Sequence, residues 1–495
     1  MKKILLLAVS LLLLTIGFAQ KYAPNWQSLN TRKMPGWFHQ AKFGIFIHWG
    51  LYSVPAYAPV LSNSGYDYSE WYWRRIRRDH TEGPEQNEAS RQLFTDFHNR
   101  VYGKDFKYEQ FAPLFKAELY DPTQWARLFK SAGAKYVVLT AKHHEGYCLW
   151  NSPEADRDWG RPWNSVTGAP KRDLLGDLTK AVCGEGLKMG VYYSLYEWFN
   201  PLWLTDKKKY VTEHMLPQLK ELVNQYKPSI IFADGEWDLP DTGWHSLKFL
   251  SWLFSESPVK NEVVVDDRWG SNTRSMNNGA MYTTSEYGSG MDKTVTWEQC
   301  EGIGHSFGYN RNEQLSDYKT GRDLILMLVD IVSRGGNLLL DVGPTADGRI
   351  PVIMQQRLSE IGTWLKINGD AIYGTEAYTH PYQWSKGIVP GKKQGNYMNG
   401  YSTSELTRPK NDTAHIEAFY TTKGADLYCT LPAYQPELRL TGIKAPKSAE
   451  AGLLGTDIKL PVKQSGNDLV IDLSHLKANA LPNKIFTLKL TGVLK

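Results

Sequence analysis

Groups that can do acid–base or nucleophilic work recur in this chain at the ends of short apolar stretches. The clearest case is Lys227-Pro-Ser-Ile-Ile-Phe-Ala-Asp-Gly-Glu-Trp-Asp238. Ser229 to Ala233 is apolar or small, is bounded by Pro228 and Gly235, and has β-branched Ile230 and Ile231 at its centre. That pattern predicts a strand buried on both faces, as a parallel sheet requires. Asp234 stands where the strand ends, followed by a permissive glycine, and barrel enzymes carry their chemistry at that end of a strand. An Asp that merely caps the next turn reads the same way locally, so the remaining strand ends must decide.

They carry the same kind of residue. Strand-like stretches end in His48-Trp-Gly50, Lys142-His-His-Glu-Gly146, Tyr192-Tyr-Ser194 with Glu197 and Trp198 beyond, Asp266-Asp-Arg-Trp-Gly270 and Asp341-Val-Gly343. A parallel barrel would gather all of them on one face. A polar cup with aromatic walls, several carboxylates and no nucleotide loop suits glycoside hydrolysis, where one carboxylate attacks the anomeric carbon and another protonates the leaving oxygen.

The elements that must position these groups alternate between strand and helix from Phe43 to about Gly369. Predicted strands are Phe43–Gly50, Tyr136–Ala141, Lys188–Tyr193, Ser229–Ala233, Glu262–Val265 and Asn337–Val342. Predicted helices include one capped by Asp121 with Pro122 at its first position, then Leu174–Cys183, Met215–Tyr226, His245–Phe254, Arg322–Ser333 and Val352–Ile367. This many βα units favour a (β/α)8-like barrel over an open sheet, and no GxGxxG opens a helix after the first strand. Asn272 to Gly321 shows no clear helix and reads as irregular. Ala58 to about Lys107 is polar, aromatic and far longer than an ordinary connection, so it would wall the catalytic face. After about Gly374 the helical period gives way to short β-like runs, as in an all-β sandwich. The expected organisation is a signal peptide over 1–19, a barrel over 20–372 and a β-sandwich domain over 373–495.

Composition narrows the partners. Fifty-seven basic against 52 acidic residues leave a net charge of +5, too little for a nucleic-acid footprint. The 18 Trp and 28 Tyr suit a sugar cleft but also cores and interfaces. Lys2 and Lys3, an apolar run from Ile4 to Leu14 and small residues at Gly17 and Ala19 predict an export signal cleaved before Gln20, too short to span a bilayer, and hence a periplasmic or secreted protein without membrane insertion. Cys148, Cys183, Cys300 and Cys429 form no CxxC pair and suggest neither a metal knuckle nor a disulfide scaffold; Cys183, on a helical pattern, is expected to be buried.

Longer stretches resemble the family 29 α-L-fucosidases. They are Trp37 to Gly50, Ala141-Lys-His-His-Glu-Gly146, Pro170-Lys-Arg-Asp-Leu174, Tyr226-Lys-Pro228 running into Asp234-Gly-Glu-Trp237, Val263-Val-Val-Asp-Asp-Arg-Trp-Gly270 and Gly335-Gly-Asn-Leu338. The likeness covers about residues 25 to 375 in order and leans toward the broad-specificity branch. It implies a retaining exo-enzyme with a barrel and a β-sandwich, using no metal or organic cofactor, acting on fucosylated oligosaccharides or glycoconjugates. On that resemblance Asp234 is the nucleophile. His48, His143, His144 and one of Tyr192 and Tyr193, with Tyr192 preferred, hold the sugar hydroxyls. Glu70 and Trp71 are sugar contacts in the long first loop, and Arg268 is an arginine beside the nucleophile. Phe232 stands where some members carry Trp, so an indole N–H donor is lost although an aromatic face stays.

The acid/base is assigned to Glu286, which ends the β-like Tyr282-Thr-Thr-Ser-Glu286 beside a Gly-Ser-Gly. Glu298 is the alternative and Glu301 the third choice; Asp266 and Asp267 are expected to orient neighbours. Competing readings are a related glycosidase acting on α-L-galactosides, a metal-dependent hydrolase built on His143, His144 and Glu145, and a non-catalytic fucose-binding protein. Adjacent histidines on one strand are poorly placed to share an ion, and no HExxH occurs. Homo-oligomer formation is left open by the sequence.

Overall fold

The computed structural model describes residues 21–60, 67–77, 88–274, 280–286, 295–390, 403–446, 448–476 and 484–494. The proposed export segment lies outside them.

Eight parallel strands form one curled sheet. They are β1 (Phe43–Ile47), β2 (Tyr136–Lys142), β3 (Lys188–Ser194), β4 (Ile230–Asp234), β5 (Val264–Val265), β6 (Thr283–Glu286), β7 (Trp297–Gly302) and β8 (Asn337–Val342). Their order is β5-β4-β3-β2-β1-β8-β7-β6. The two edges meet: Asp266, just past β5, forms a parallel bridge with Tyr282, just before β6, and the Tyr282 N–H donates to the Val265 carbonyl at 3.1 Å. The barrel closes there through very short strands.

The segment expected to be irregular, Asn272 to Gly321, supplies β6 and β7. Both are polar (Thr-Thr-Ser-Glu and Trp-Glu-Gln-Cys-Glu-Gly), which hides them from a search for apolar runs. Residues inside β7 are nonetheless buried throughout.

Helices cover the outside. Asp121 caps Pro122–Ser131 by accepting from the Thr123 and Gln124 N–H groups; further helices are Leu174–Gly184, Leu216–Tyr226, Ser246–Ser255, Gly321–Ser333 and Val352–Asn368. The period-2 alternation of the strands divides the side chains. Phe46, Tyr136, Val138, Tyr192, Phe232 and Cys300 pack inside the barrel, whereas Ile45, Leu139, Val191 and Ile231 join the core beneath the helices. Cys183 is exposed, contrary to expectation. The buried stripe of its helix is Leu174, Leu175, Leu178 and Val182, and one further residue turns the thiol about 100° away from it.

The chain beyond the barrel forms a six-stranded and a three-stranded antiparallel sheet sharing a second core that includes Leu427, Leu488, Leu438 and Ile471. These sheets lean on the last barrel helices. The Trp364 indole N–H donates to the Ile485 carbonyl at 3.0 Å, and Arg322 Nη2 donates to the Pro432 carbonyl at 2.7 Å.

Candidate active site

The C-terminal ends of β1, β2, β3, β4 and β8 bring His48, His143, His144, Tyr192, Asp234 and Asp341 together. All are buried, with Asp234 at 8% exposure keeping a small opening to solvent. Gly235 has φ +73°, and a Cβ there would meet the Tyr196 ring at 2.5 Å. Glycine therefore lets the chain turn sharply straight after Asp234.

Both oxygens of Asp234 are held. Arg268 Nη1 donates to Oδ1 at 2.9 Å, and the Tyr192 hydroxyl donates to Oδ2 at 2.7 Å. Burial alone would raise this carboxyl; the Arg268 charge, helped by the Tyr192 hydrogen bond, outweighs burial and holds it well below the usual carboxylate range. Asp234 is thus an anion with a fixed geometry. Tyr192 responds in the opposite sense, its hydroxyl pushed well above the usual range by burial and by the Asp234 charge. Tyr193, one residue on, faces the helices and bonds Gln218 at 2.7 Å, so strand parity selects Tyr192 for the site.

Arg268 is positioned in turn by Thr284 of β6, which accepts from its Nε at 2.8 Å. Its guanidinium carbon also lies 5.1 Å from the centre of the Phe232 ring. Phe232 stacks with Tyr192 at 5.8 Å and forms part of the barrel floor beneath the carboxylate. Asp266 does a different job: Oδ1 accepts from the Ala233 N–H at 3.1 Å, holding the backbone next to Asp234 where the two-residue β5 has ended.

His48 and His144 are held below the usual imidazole range and act as neutral hydrogen-bonding groups. His144 Nδ1 lies 2.6 Å from Ser194 Oγ, whose own hydrogen goes to the Tyr196 carbonyl at 2.6 Å. His144 Nδ1 is therefore the donor, and its Nε2 faces Asp234 Oδ2 at 3.5 Å. Burial, reinforced by His143, lowers His144 to about 3. His48 Nδ1 pairs with Asp341 Oδ1 at 2.7 Å. Burial and His143 push His48 well below its usual range, while burial and Glu70 push Asp341 well above its own. His143 stacks on Tyr192 at 5.5 Å, and its Nδ1 lies 3.5 Å from Glu145 Oε2. The neighbouring histidines turn to different partners, and among the described residues no group of three or more His, Cys, Asp or Glu is arranged to hold a metal ion.

The long first loop adds a wall. Glu70 accepts from the Gly308 N–H at 2.9 Å, and burial raises it to about 7. Trp71 lies 5.9 Å from the His144 ring. Phe307, which the sequence did not single out, stacks on His48 at 4.8 Å.

The three acid/base candidates separate. Glu286 ends β6, opposite Cys300 of β7 and two residues past Thr284; its side chain lies outside the described residues. Glu298 is not brought to the site. It is at the start of β7, paired with Asn337 at the start of β8, and accepts a short hydrogen bond from Tyr136 at the start of β2. Burial raises it to about 8. Glu301 turns outward, accepting from Gln299 Nε2 at 2.6 Å and lying 3.6 Å from Lys319.

A buried ionic network behind the histidines was also missed. Lys142 Nζ lies 2.9 Å from Glu197 Oε1, with neither side chain exposed. His214 bridges Glu197 and Asp158 at 2.8 and 2.7 Å, the Trp159 indole N–H donates to Glu197 Oε2 at 2.8 Å, and the Trp198 backbone N–H donates to the His144 carbonyl at 2.9 Å. A lysine closing an otherwise apolar strand, Tyr-Val-Val-Leu-Thr-Ala-Lys142, was the available signal, since a buried ammonium requires a carboxylate.

Comparison with known proteins finds the alpha-L-fucosidase family model matching residues 14–370. An alpha-L-fucosidase of Dictyostelium discoideum is 38% identical, over 99% of this chain and all of its own. The human tissue alpha-L-fucosidase is 39% identical over 98% of this chain and 97% of its own. Among solved structures, Thermotoga maritima alpha-fucosidase in complex with a mechanism-based inhibitor superposes with a TM-score of 0.74 at 34% identity, covering 95% of this chain and 99% of its own.

Proposed function

This chain belongs to the α-L-fucosidase family and is a fucose-releasing glycoside hydrolase, and we propose that it works with retention, as an exo-enzyme, through a covalent fucosyl intermediate on Asp234. The observation that carries this reading is the Asp234 carboxylate itself. It is kept ionised by Arg268 at 2.9 Å and oriented by Tyr192 at 2.7 Å at the open end of β4. An anion so placed is suited to attack the anomeric carbon.

In the first step Asp234 forms a bond to C1 while the bond from C1 to the leaving oxygen breaks, and Glu286 gives that oxygen its proton. In the second, Glu286 takes a proton from water, whose oxygen attacks C1 and frees Asp234. His48, His143, His144, Glu70 and Trp71 hold the sugar, with Phe232 beneath. The neutral imidazoles of His48 and His144 can both donate to and accept from hydroxyl groups, which suits a neutral substrate better than imidazolium would. The substrate is a fucosylated glycan. The enzyme acts outside the cytoplasm, a reading supported by Lys2-Lys3, the apolar Ile4–Leu14 run and Gly17-Phe-Ala19; N-terminal sequencing of the mature protein should begin at Gln20.

Proton NMR of the first-formed sugar tests the mechanism. Two displacements yield α-L-fucose. Asp234→Gly should lose nearly all turnover and regain part of it with azide, releasing β-fucosyl azide from the vacated face. Initial β-L-fucose, or full activity of the variant without azide, would overturn the proposal.

A further inference from the structure

Three residues past the nucleophile, Trp237 is 41% exposed. Trp198 beside it is not open in this way. Trp198, whose ring is 5.1 Å from His144, is only 3% exposed. Trp237 is 5.4 Å from the same imidazole and 5.8 Å from Tyr196. It lies 6.1 Å from Trp71 with the two ring planes 29° apart. His144 is itself 3.5 Å from Asp234. Trp237 therefore stands one ring outside the sugar-contacting layer, at the mouth of the cleft.

Its position is held. On one side Gly235 forces the turn described above. Glu236, buried beside it, pairs with Arg274 at 2.8 Å, and its carbonyl accepts from the Trp244 indole at 3.0 Å. On the other side Asp238 pairs with Lys207 at 2.8 Å. An indole needed only to brace His144 would be covered on both faces, as Trp198 is. Trp237 braces His144 and still offers an open surface. Aromatic faces bind the apolar C–H side of pyranose rings, and an exo-enzyme that holds fucose at Asp234 must place the next sugar at this mouth.

We propose that Trp237, with Trp71 beside it, forms the leaving-group subsite and takes the apolar face of a neutral hexopyranose bearing the fucose. This rests on the fucosidase reading above. A fixed indole between two anchored residues costs little ordering on binding, so affinity for a sugar leaving group is gained without a conformational change.

The test compares kcat/KM for α-L-fucosyl fluoride, which has no leaving sugar, with that for an α-L-fucosyl-galactose disaccharide the wild type cleaves. Trp237→Ala should lower the disaccharide-to-fluoride ratio at least tenfold, chiefly through KM for the disaccharide. Trp237→Phe, which keeps an aromatic face, should restore at least a third of that ratio. An unchanged ratio, whether both activities fall together or neither falls, would overturn the subsite and leave Trp237 as a support for His144. A wild type inert toward both the fluoride and fucosyl-galactose disaccharides would instead overturn the fucosidase reading beneath it, whatever the variants did.

Discussion

Removing the Arg268 guanidinium tests how Asp234, the proposed nucleophile, is kept ionised. Nη1 lies 2.9 Å from Asp234 Oδ1, with only 3% and 12% of the two side chains exposed. With charge centres about 4 Å apart and an effective dielectric of about 20, the attraction is about 4 kcal/mol, or roughly a thousandfold in the proton affinity of the carboxyl. Water entering the vacated space and the remaining Tyr192 hydrogen bond reduce that effect. The acid limb of kcat/KM in Arg268→Met should therefore move upward by roughly one to three pH units. In the proposed mechanism Asp234 reacts as the anion, so the variant should lose rate on the acid side first and recover toward neutrality. α-L-Fucosyl fluoride, assayed from about pH 3 to 9, isolates the nucleophile because fluoride departs without a general acid. Stability follows the same sign. A depressed folded value stabilises the protein above the unfolded value of about 3.9 and ceases to do so as pH falls through the folded one. The variant should be destabilised by about 3–5 kcal/mol near neutrality, less in strong acid. A uniform drop in rate across the whole profile, with the acid limb unmoved, would refute the electrostatic argument and leave Arg268 a contact for the sugar.

Two other perturbations separate the glutamates. Glu286→Ala should cripple cleavage of a fucosyl disaccharide far more than the first step on a nitrophenyl fucoside, with a burst as the intermediate accumulates; equal losses on both would remove Glu286 as the acid. Burial holds the Glu298 carboxyl up to about 8, so the stability this group lends is complete below its unfolded value of about 4.3 and is lost as pH rises to about 8. Glu298→Gln should flatten that slope, by at most a few kcal/mol, while keeping the wild-type dependence on leaving group; parallel stability curves for the two proteins would contradict it.

Much of this was legible in the sequence because the first four strands are continuous apolar runs with one polar residue at the end. Asp234 after Ile-Ile-Phe-Ala and His48 after Phe-Gly-Ile-Phe-Ile need only the period of a strand and a rule about which end bears chemistry. Those strands and most of the flanking helices lie within a few residues of their expected bounds. Closure of the barrel was not legible. β5 has two residues and β6 has four polar ones, so neither carries a hydrophobic signature, and the ladder between them is a single bridge. The partners behind the site were hidden for another reason. Glu197, His214 and Asp158 reach Lys142 only through tertiary packing, and no local pattern announces a network spread over such separations.

Residue type misleads where strand direction decides. Both Glu286 and Glu298 are glutamates on neighbouring polar strands, and sequence alone ranks them by local flexibility. Direction separates them far more sharply. Glu298 is the second residue of β7, four residues before its last, Gly302. At about 3.3 Å per residue, that places its backbone roughly 13 Å from the end of the strand where Asp234 and the histidines gather. A retaining pair needs its carboxyl groups about 5–5.5 Å apart, and a glutamate side chain cannot cover the difference, least of all one bonded to Tyr136 at the opposite end of the barrel. Glu286 is the last residue of β6, and Thr284, two residues before it on the same strand, already touches Arg268, which touches Asp234. Removing the two carboxylates singly and together would therefore test the argument directly. The glutamate at position 298 cannot compensate for the loss of the one at 286, so Glu286→Gln should show the same defect on the disaccharide with Glu298 present or replaced. Two variants that differ in leaving-group dependence would show that Glu298 reaches the sugar after all.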